Sequence, residues 1–272
     1  ILYYKSKYIS MILYKLNSGR NSKFKAYITG VKNKLTPRSI LSHRIQNQIN
    51  NIKASPEFDY ILKRVNYYNK LKASDGPISL GSDAKQVGNF KHNKRQLMYY
   101  IDLNSVIKGF PKNCEYKAIF GDNIVIPEVP SFVKSRPIAD NNDNAVILKL
   151  NSIRHFNFVE TDIPFTQKES KVIFRGKAHQ KHRTDFFEKY FTNPLFDLGD
   201  TSNKPIHNNT EWLKGKLTLT EQLKNKFVLC IEGNDTCTSL KWVMSSNSIA
   251  VMPRPKYETW FMEGTLIPNV HY

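Results

Sequence analysis

Apolar and polar blocks alternate most clearly near the end of the chain, from Lys226 to Tyr272. KFVLCI is an apolar run of strand length, EGNDT is a polar turn with one glycine, and TCTSLKWVMSS sets Leu240, Val243 and Met244 at helical spacing. SIAVM is a second run of buried-strand character, so the stretch predicts a compact βαβ unit. Earlier strand-like runs stand at residues 98–101, 117–120, 146–150, 156–159 and 172–174, with helical patterns at 183–191 and 220–226. Nearer the start, residues 1–17 mix Tyr, Ile, Leu and Lys in the manner of a basic amphipathic helix. Thr36–Pro37 reads as an N-cap and first-turn pair for a helix running toward Ile52. Ser55–Pro56 repeats the device, with Phe58, Ile61, Leu62 and Val65 on one buried face. Residues 74–94 are rich in Gly, Ser, Asp and Asn and lack periodicity, which predicts a long loop of a kind that often carries function.

Strands and helices in alternation place the chain in the α/β class. Residues 163–169 read as a hinge between a first α/β region, 1–162 with its helical N-terminal extension, and a second, 163–272. At 272 residues and 40% apolar, the chain can hold two modest domains with a sizeable core. It has no run approaching the ~20 apolar residues of a membrane span. Residues 9–13 are too short for a secretory apolar region. Cys114, Cys230 and Cys237 are odd in number and lack metal spacing, which suits a reducing compartment. A cytosolic bacterial protein is the simplest reading.

Charge sharpens this. The net charge is +18, and residues 1–110 carry 20 Lys/Arg against 5 Asp/Glu, so the excess lies almost wholly in the first half. Such a half is an electrostatic footprint for a polyanion. The basic residues follow no recognition-helix or zinc-finger pattern, so no nucleic acid is expected. An anionic membrane surface or a phosphorylated glycolipid fits the charge instead.

The predicted βαβ unit puts the start of its helix, with free N–H groups, at the carboxyl edge of the sheet, where α/β proteins bind phosphates. Lys241 sits about one turn into that helix. Gly121–Asp122 follows the strand-like KAIF run, which reads equally as a turn-forming pair or as a carboxylate held at a strand end. FRG sets Arg175 and Gly176 at another strand end, where glycine lets a ligand approach the backbone. His155 and His179 form no metal set, and the chain contains no Asp-x-Asp motif.

The string IEGNDTCTSLKWVMSSNSIAVMPRPKYETWF…IPNVHY resembles the end of the catalytic domain of glycosyltransferase family 90. That family includes fungal capsule-associated transferases, animal protein O-glucosyltransferases and bacterial enzymes of lipopolysaccharide core assembly. VIFRGKAHQKHRTDFF resembles the family's donor segment, and AIFGDNIVIPEVPSFVKSRPI resembles the bacterial form of its catalytic strand. The likeness runs roughly from Arg64 to Tyr272 and is closest to the lipopolysaccharide branch. It implies two Rossmann-like domains of GT-B type: an acceptor-side domain at 1–162 and a nucleotide-sugar donor domain at 163–272. Family members continue past this point, so the chain looks truncated at its C-terminal end, with the second domain incomplete.

On that resemblance the expected activity is inverting transfer of a hexose from a UDP-sugar to a lipopolysaccharide core or related acceptor. Asp122 takes the place of the family's catalytic aspartate, although a glycine precedes it here where the family has arginine. Arg175, Gly176 and Arg183 fall in the donor segment, and Gly233, Asn234, Thr238, Ser239 and Lys241 in the donor loop. Ser239 stands where the animal enzymes carry an arginine. Glu258 is a candidate ribose ligand, and Lys134 and Arg136 are candidates for phosphate or acceptor contacts. No metal or other cofactor is expected, since protein cations can neutralise the diphosphate. The expected partners are a nucleotide-sugar, a glycolipid or oligosaccharide acceptor and an anionic membrane surface. The expected location is cytoplasmic, on the inner face of the cytoplasmic membrane. The alternative is a non-catalytic basic protein that binds nucleic acid or anionic lipid.

Overall fold

Short apolar strands in parallel pairs form the framework of the protein, as a computed structural model describes it for residues 19–72, 76, 78–91, 94–206 and 208–272. The helix expected over residues 1–17 lies outside the described residues. The chain divides into two units: one comprises Ser22–Ile153 with Lys256–Thr265, and the other Arg154–Pro255 and Leu266–Tyr272 together with residues 19–21. The class is mixed α/β with parallel sheets in both units.

The first unit opens with helices α1 (Lys23–Leu35), α2 (Arg38–Lys53) and α3 (Phe58–Tyr68), followed by α4 (Leu97–Ile107). A small antiparallel pair joins β1 (Lys85–Gln86) to β2 (Glu115–Tyr116). Strands β3 (Ala118–Ile119), β4 (Ser131–Val133) and β6 (Ala145–Ile147) form a three-stranded parallel sheet in the order β3-β4-β6. The links between these strands are loops, together with β5 (Ser135–Pro137), and contain no helix. β5 instead pairs antiparallel with the distant strand Tyr257–Thr259, matching Arg136 with Glu258. Val87, Tyr99, Leu103, Ile107, Tyr116 and Leu150 form one core, and Val133, Ala145 and Ile147 a second.

The second unit is a four-stranded parallel sheet of β7 (Glu169–Gly176), β8 (Phe196–Asp200), β9 (Asn225–Leu229) and β10 (Ile249–Val251). Its order is β10-β9-β7-β8, so the chain leaves β7 toward one edge and returns to the other side at β9. Helix α5 (Lys181–Tyr190) connects β7 to β8. Its Phe187 packs edge-on to Phe174 and Trp212, with ring centroids 5.6 and 5.2 Å away, at the centre of an aromatic-rich core. The predicted βαβ unit is present as β9, a one-turn helix Leu240–Val243 and β10, with β9 and β10 parallel.

Several local expectations are corrected. Residues 98–101 lie within helix α4, whose buried Tyr99, Leu103 and Ile107 recur every four residues; a short apolar run carries no period of its own. Residues 156–159 form no strand: Phe156 O accepts from the Asn21 side chain, and Val159 N donates to Ser245 Oγ. The helix expected at 220–226 is Leu219–Gln222, held by a Thr218–Glu221 capping box, and β9 begins at Asn225. On α3, Leu62 and Val65 are exposed, and the packed side runs through Phe58, Ile61, Arg64, Tyr67 and Tyr68. Two tyrosine hydroxyls turn that helix, since Tyr67 bonds Glu258 and Tyr68 bonds the Trp260 carbonyl.

Candidate active site

In an open parallel sheet, ligands bind beyond the carboxyl ends of the strands, where neighbouring connections leave in opposite directions. In the second unit that switch point lies between β7 and β9. Arg175 and Gly176 end β7, and the segment from Cys230 to Ser239 follows β9. Arg183, near the start of α5, joins the two. Its guanidinium donates to the carbonyls of Glu232 (2.9 Å), Ile231 (2.7 Å) and Lys177 (2.6 Å), and it lies over the Phe174 ring. His182 reaches the same Glu232 carbonyl at 2.8 Å. Arg183 therefore shapes the loop after β9 by satisfying carbonyls that the sheet leaves free.

Arg175 makes a salt bridge to Asp197 at 2.7 Å, and Lys214 holds the other oxygen of that carboxylate, also at 2.7 Å. Burial disfavours the Asp197 anion, but the two cations outweigh it and hold its carboxyl below the usual range. Gly176 is required from inside, since a Cβ there would come within 2.9 Å of the Phe174 ring. Gly233 meets no such obstacle, and the Asn234 side chain accepts from Gln180 Nε2 at 3.1 Å. Ser239 Oγ lies 3.1 Å from Cys237 Sγ and 3.9 Å from Cys230 Sγ. The Cys237 thiol is pushed down, first by its hydrogen bond with Cys230 and then by Ser239, Arg183 and Lys241, while that same bond and burial push Cys230 up. Lys241 is fully buried, with Nζ 3.4 Å from the Cys237 carbonyl. Thr238 is half-buried beside it.

Sequence reasoning missed Gln180, Thr236, Asp197, Lys214 and Asp200. Gln180 Oε1, Thr236 Oγ1, Asp200 Oδ2 and Arg175 Nε are buried without a hydrogen-bond partner among the described residues. Each such atom costs about 1–3 kcal/mol if left unpaired. Gln180, Thr236 and Asp200 stand at or just past the carboxyl ends of β7, β9 and β8, whereas Arg175 Nε lies back over Gly199 of β8. These residue types are too ordinary to stand out in a sequence.

In the first unit, Gly121 has φ of 108°, a conformation open to glycine, and it turns the chain past β3 so that Asp122 leaves the strand end. Asp122 is 27% exposed, and Lys134, itself buried, holds its Oδ1 at 2.6 Å. Arg136 is wholly buried and paired with Glu258 at 2.8 Å, and it also donates to the carbonyls of Tyr67 (2.7 Å) and Ala145 (3.0 Å). The Tyr67 hydroxyl donates to the second Glu258 oxygen, where burial and that carboxylate push its pKa up. Glu258 thus sits in the first unit, 2% exposed, rather than with Arg175 and Lys241 in the second.

The family profile for glycosyl transferase family 90 matches residues 145–272. O-glucosyltransferase LpsA of Dichelobacter nodosus is 44% identical over 216 residues, which is 78% of this chain. This chain belongs to glycosyltransferase family 90. It spans 65% of the length of that relative. The family 90 match takes in β6 and the whole switch-point loop of the second unit, whereas Asp122 and Lys134 lie upstream of it.

Proposed function

We propose that the chain is the catalytic part of an inverting glycosyltransferase that moves a hexose, glucose by analogy with the relative's name, from a UDP-sugar to a hydroxyl of a lipopolysaccharide core or related surface glycan. The observation that carries this reading is the loop after β9, which is gripped by Arg183 and bordered by buried polar atoms without partners at the topological switch point. The acceptor oxygen attacks the anomeric carbon while the bond from that carbon to the β-phosphate oxygen breaks. Asp122 takes the acceptor's proton, and UDP leaves with the bonding electrons. A single displacement of this kind inverts the anomeric centre. Arg175, Arg183 and Lys241 provide the positive field that offsets the charge on the leaving diphosphate, so the reaction needs no metal ion. The second unit is then the donor domain and the first the acceptor-side domain of a GT-B enzyme. The basic residues of the first 110 positions hold the enzyme peripherally on the anionic inner face of the cytoplasmic membrane. No helix among the described residues is long and apolar enough to cross a membrane.

Thermal shift with UDP and turnover of UDP-glucose test this together. UDP should raise the melting temperature, Asp122→Asn should lower transfer by ~10²–10⁴ without changing the UDP shift, and EDTA should leave both alone. Full turnover by Asp122→Asn, or the absence of any UDP stabilisation, overturns the reading.

A further inference from the structure

Helix α1 presents its large apolar side chains outward. Its half-buried positions are the small or polar Ala26, Gly30 and Asn33. Gly30 lies so close to α4 that a Cβ would come within 2.8 Å of Ile101 Cγ1. On the other side, Phe24, Tyr27, Ile28, Val31 and Leu35 recur at three- and four-residue spacing and are each 42% to 76% exposed. Lys23, Lys25, Lys32 and Lys34 flank this ridge, and the helix contains no acidic residue. The orientation is pinned, because Lys108 Nζ donates to the carbonyls of Asn33, Lys34 and Thr36 at 2.6, 2.7 and 2.8 Å.

A helix that keeps glycine and alanine for its own core and offers a ridge of Phe, Tyr, Ile, Val and Leu between lysines has the chemistry of a bilayer interface. The lysine stems run along the ridge while their ammonium groups reach lipid phosphates. A second copy of this face suits the charge poorly, since it would bring two sets of four lysines together with no acid between them. We propose that α1 lies in the headgroup boundary of an anionic bilayer, its ridge in the acyl layer and its lysines on the phosphates. This rests on the peripheral association proposed above and deepens it. It names the segment and adds an apolar component that salt does not screen.

Vesicle sedimentation with phosphatidylglycerol-containing and pure phosphatidylcholine membranes, at low and high salt, tests it. The variants are Ile28→Gln with Val31→Gln, and Gln at all four lysines; glutamine keeps helix propensity, and circular dichroism with thermal melts checks folding. The apolar double variant should bind anionic vesicles about tenfold or more weakly and lose the binding that persists at high salt. Each lysine removed should cost roughly fivefold at low salt. Tyr27→Trp should show fluorescence quenched by bromine-labelled acyl chains beyond that of the native tryptophans. If the unmodified protein binds anionic vesicles and the apolar variant binds them equally, the insertion of α1 is wrong and the electrostatic association stands. If the unmodified protein does not bind them at all, both fall. A dimer in solution that the apolar variant disperses would assign the ridge to a second copy and overturn the lipid assignment.

Discussion

Replacing Glu258 by Gln separates a structural ion pair from a ligand contact. Arg136 is wholly buried and Glu258 nearly so, and their 2.8 Å bond joins β5 to the strand Tyr257–Thr259 across 122 positions of sequence. The Glu258→Gln change would leave the guanidinium with the neutral carbonyls of Tyr67 and Ala145, and the Tyr67 hydroxyl would lose its anionic partner. Removing one member of a buried pair costs about 3–5 kcal/mol, because the other charge remains desolvated. At roughly 2–4 °C per kcal/mol for a domain of this size, the melting temperature should fall by roughly 6–20 °C. The carboxylate is tightly enclosed, since a Cβ added at Gly264 would come within 2.7 Å of Glu258 Oε2. A urea-denaturation cycle with Arg136→Met and the double variant should return a coupling of at least about 1 kcal/mol. UDP affinity, measured well below the melting point, should stay within about twofold. An unchanged melting temperature combined with lost UDP binding would refute the argument and make Glu258 a ribose ligand.

Gly121→Ala forces a side chain onto φ of 108° and should cost ~1–3 kcal/mol while lowering transfer, because Asp122 follows directly; a variant with the parent's melting point and turnover would show that the turn carries no strain. Asp197, held below the usual carboxylate range by Arg175 and Lys214 against the effect of burial, contributes stability that is present above its unfolded pKa of about 3.9 and lost as pH falls through its lower folded value. Melting temperatures between pH 7 and pH 2 should therefore fall below about pH 4, and Asp197→Asn should lower stability at pH 7 while flattening that acid limb. A mutant with the parent's full pH dependence would remove Asp197 from the account.

The motifs were legible because their chemistry is local. KFVLCI, the polar turn and SIAVM carry their strand and turn character in adjacent residues, and the structure pairs β9 with β10 in parallel as that pattern requires. The FRG segment likewise ends a strand. MYYI at 98–101 was not legible, since an apolar run this short fits a strand or a buried helix, and only packing around Tyr99, Leu103 and Ile107 decides. The face of α3 was legible only in part, since Phe58 and Ile61 pack as their spacing predicts while Leu62 and Val65 are exposed. Counting apolar positions chose Leu62 and Val65, whereas the hydroxyls of Tyr67 and Tyr68 found partners more than a hundred residues away.

The α/β class, the family and the strand-end positions of Asp122 and Arg175 follow from residues close together along the chain, and so could be read from it directly. Which groups the charges pair with depends on packing. Periodicity shows that a residue is cationic and near a strand end, but it does not reveal which anion or carbonyl lies opposite. Asp197 faces Arg175, the carbonyls after β9 face Arg183, Asp122 faces Lys134 and Glu258 faces Arg136. Those pairings depend on strand order and register, which bring together segments that the linear chain keeps apart. The same holds for α1, a helix that the sequence reading does not predict: packing on α4 determines that its apolar ridge points outward.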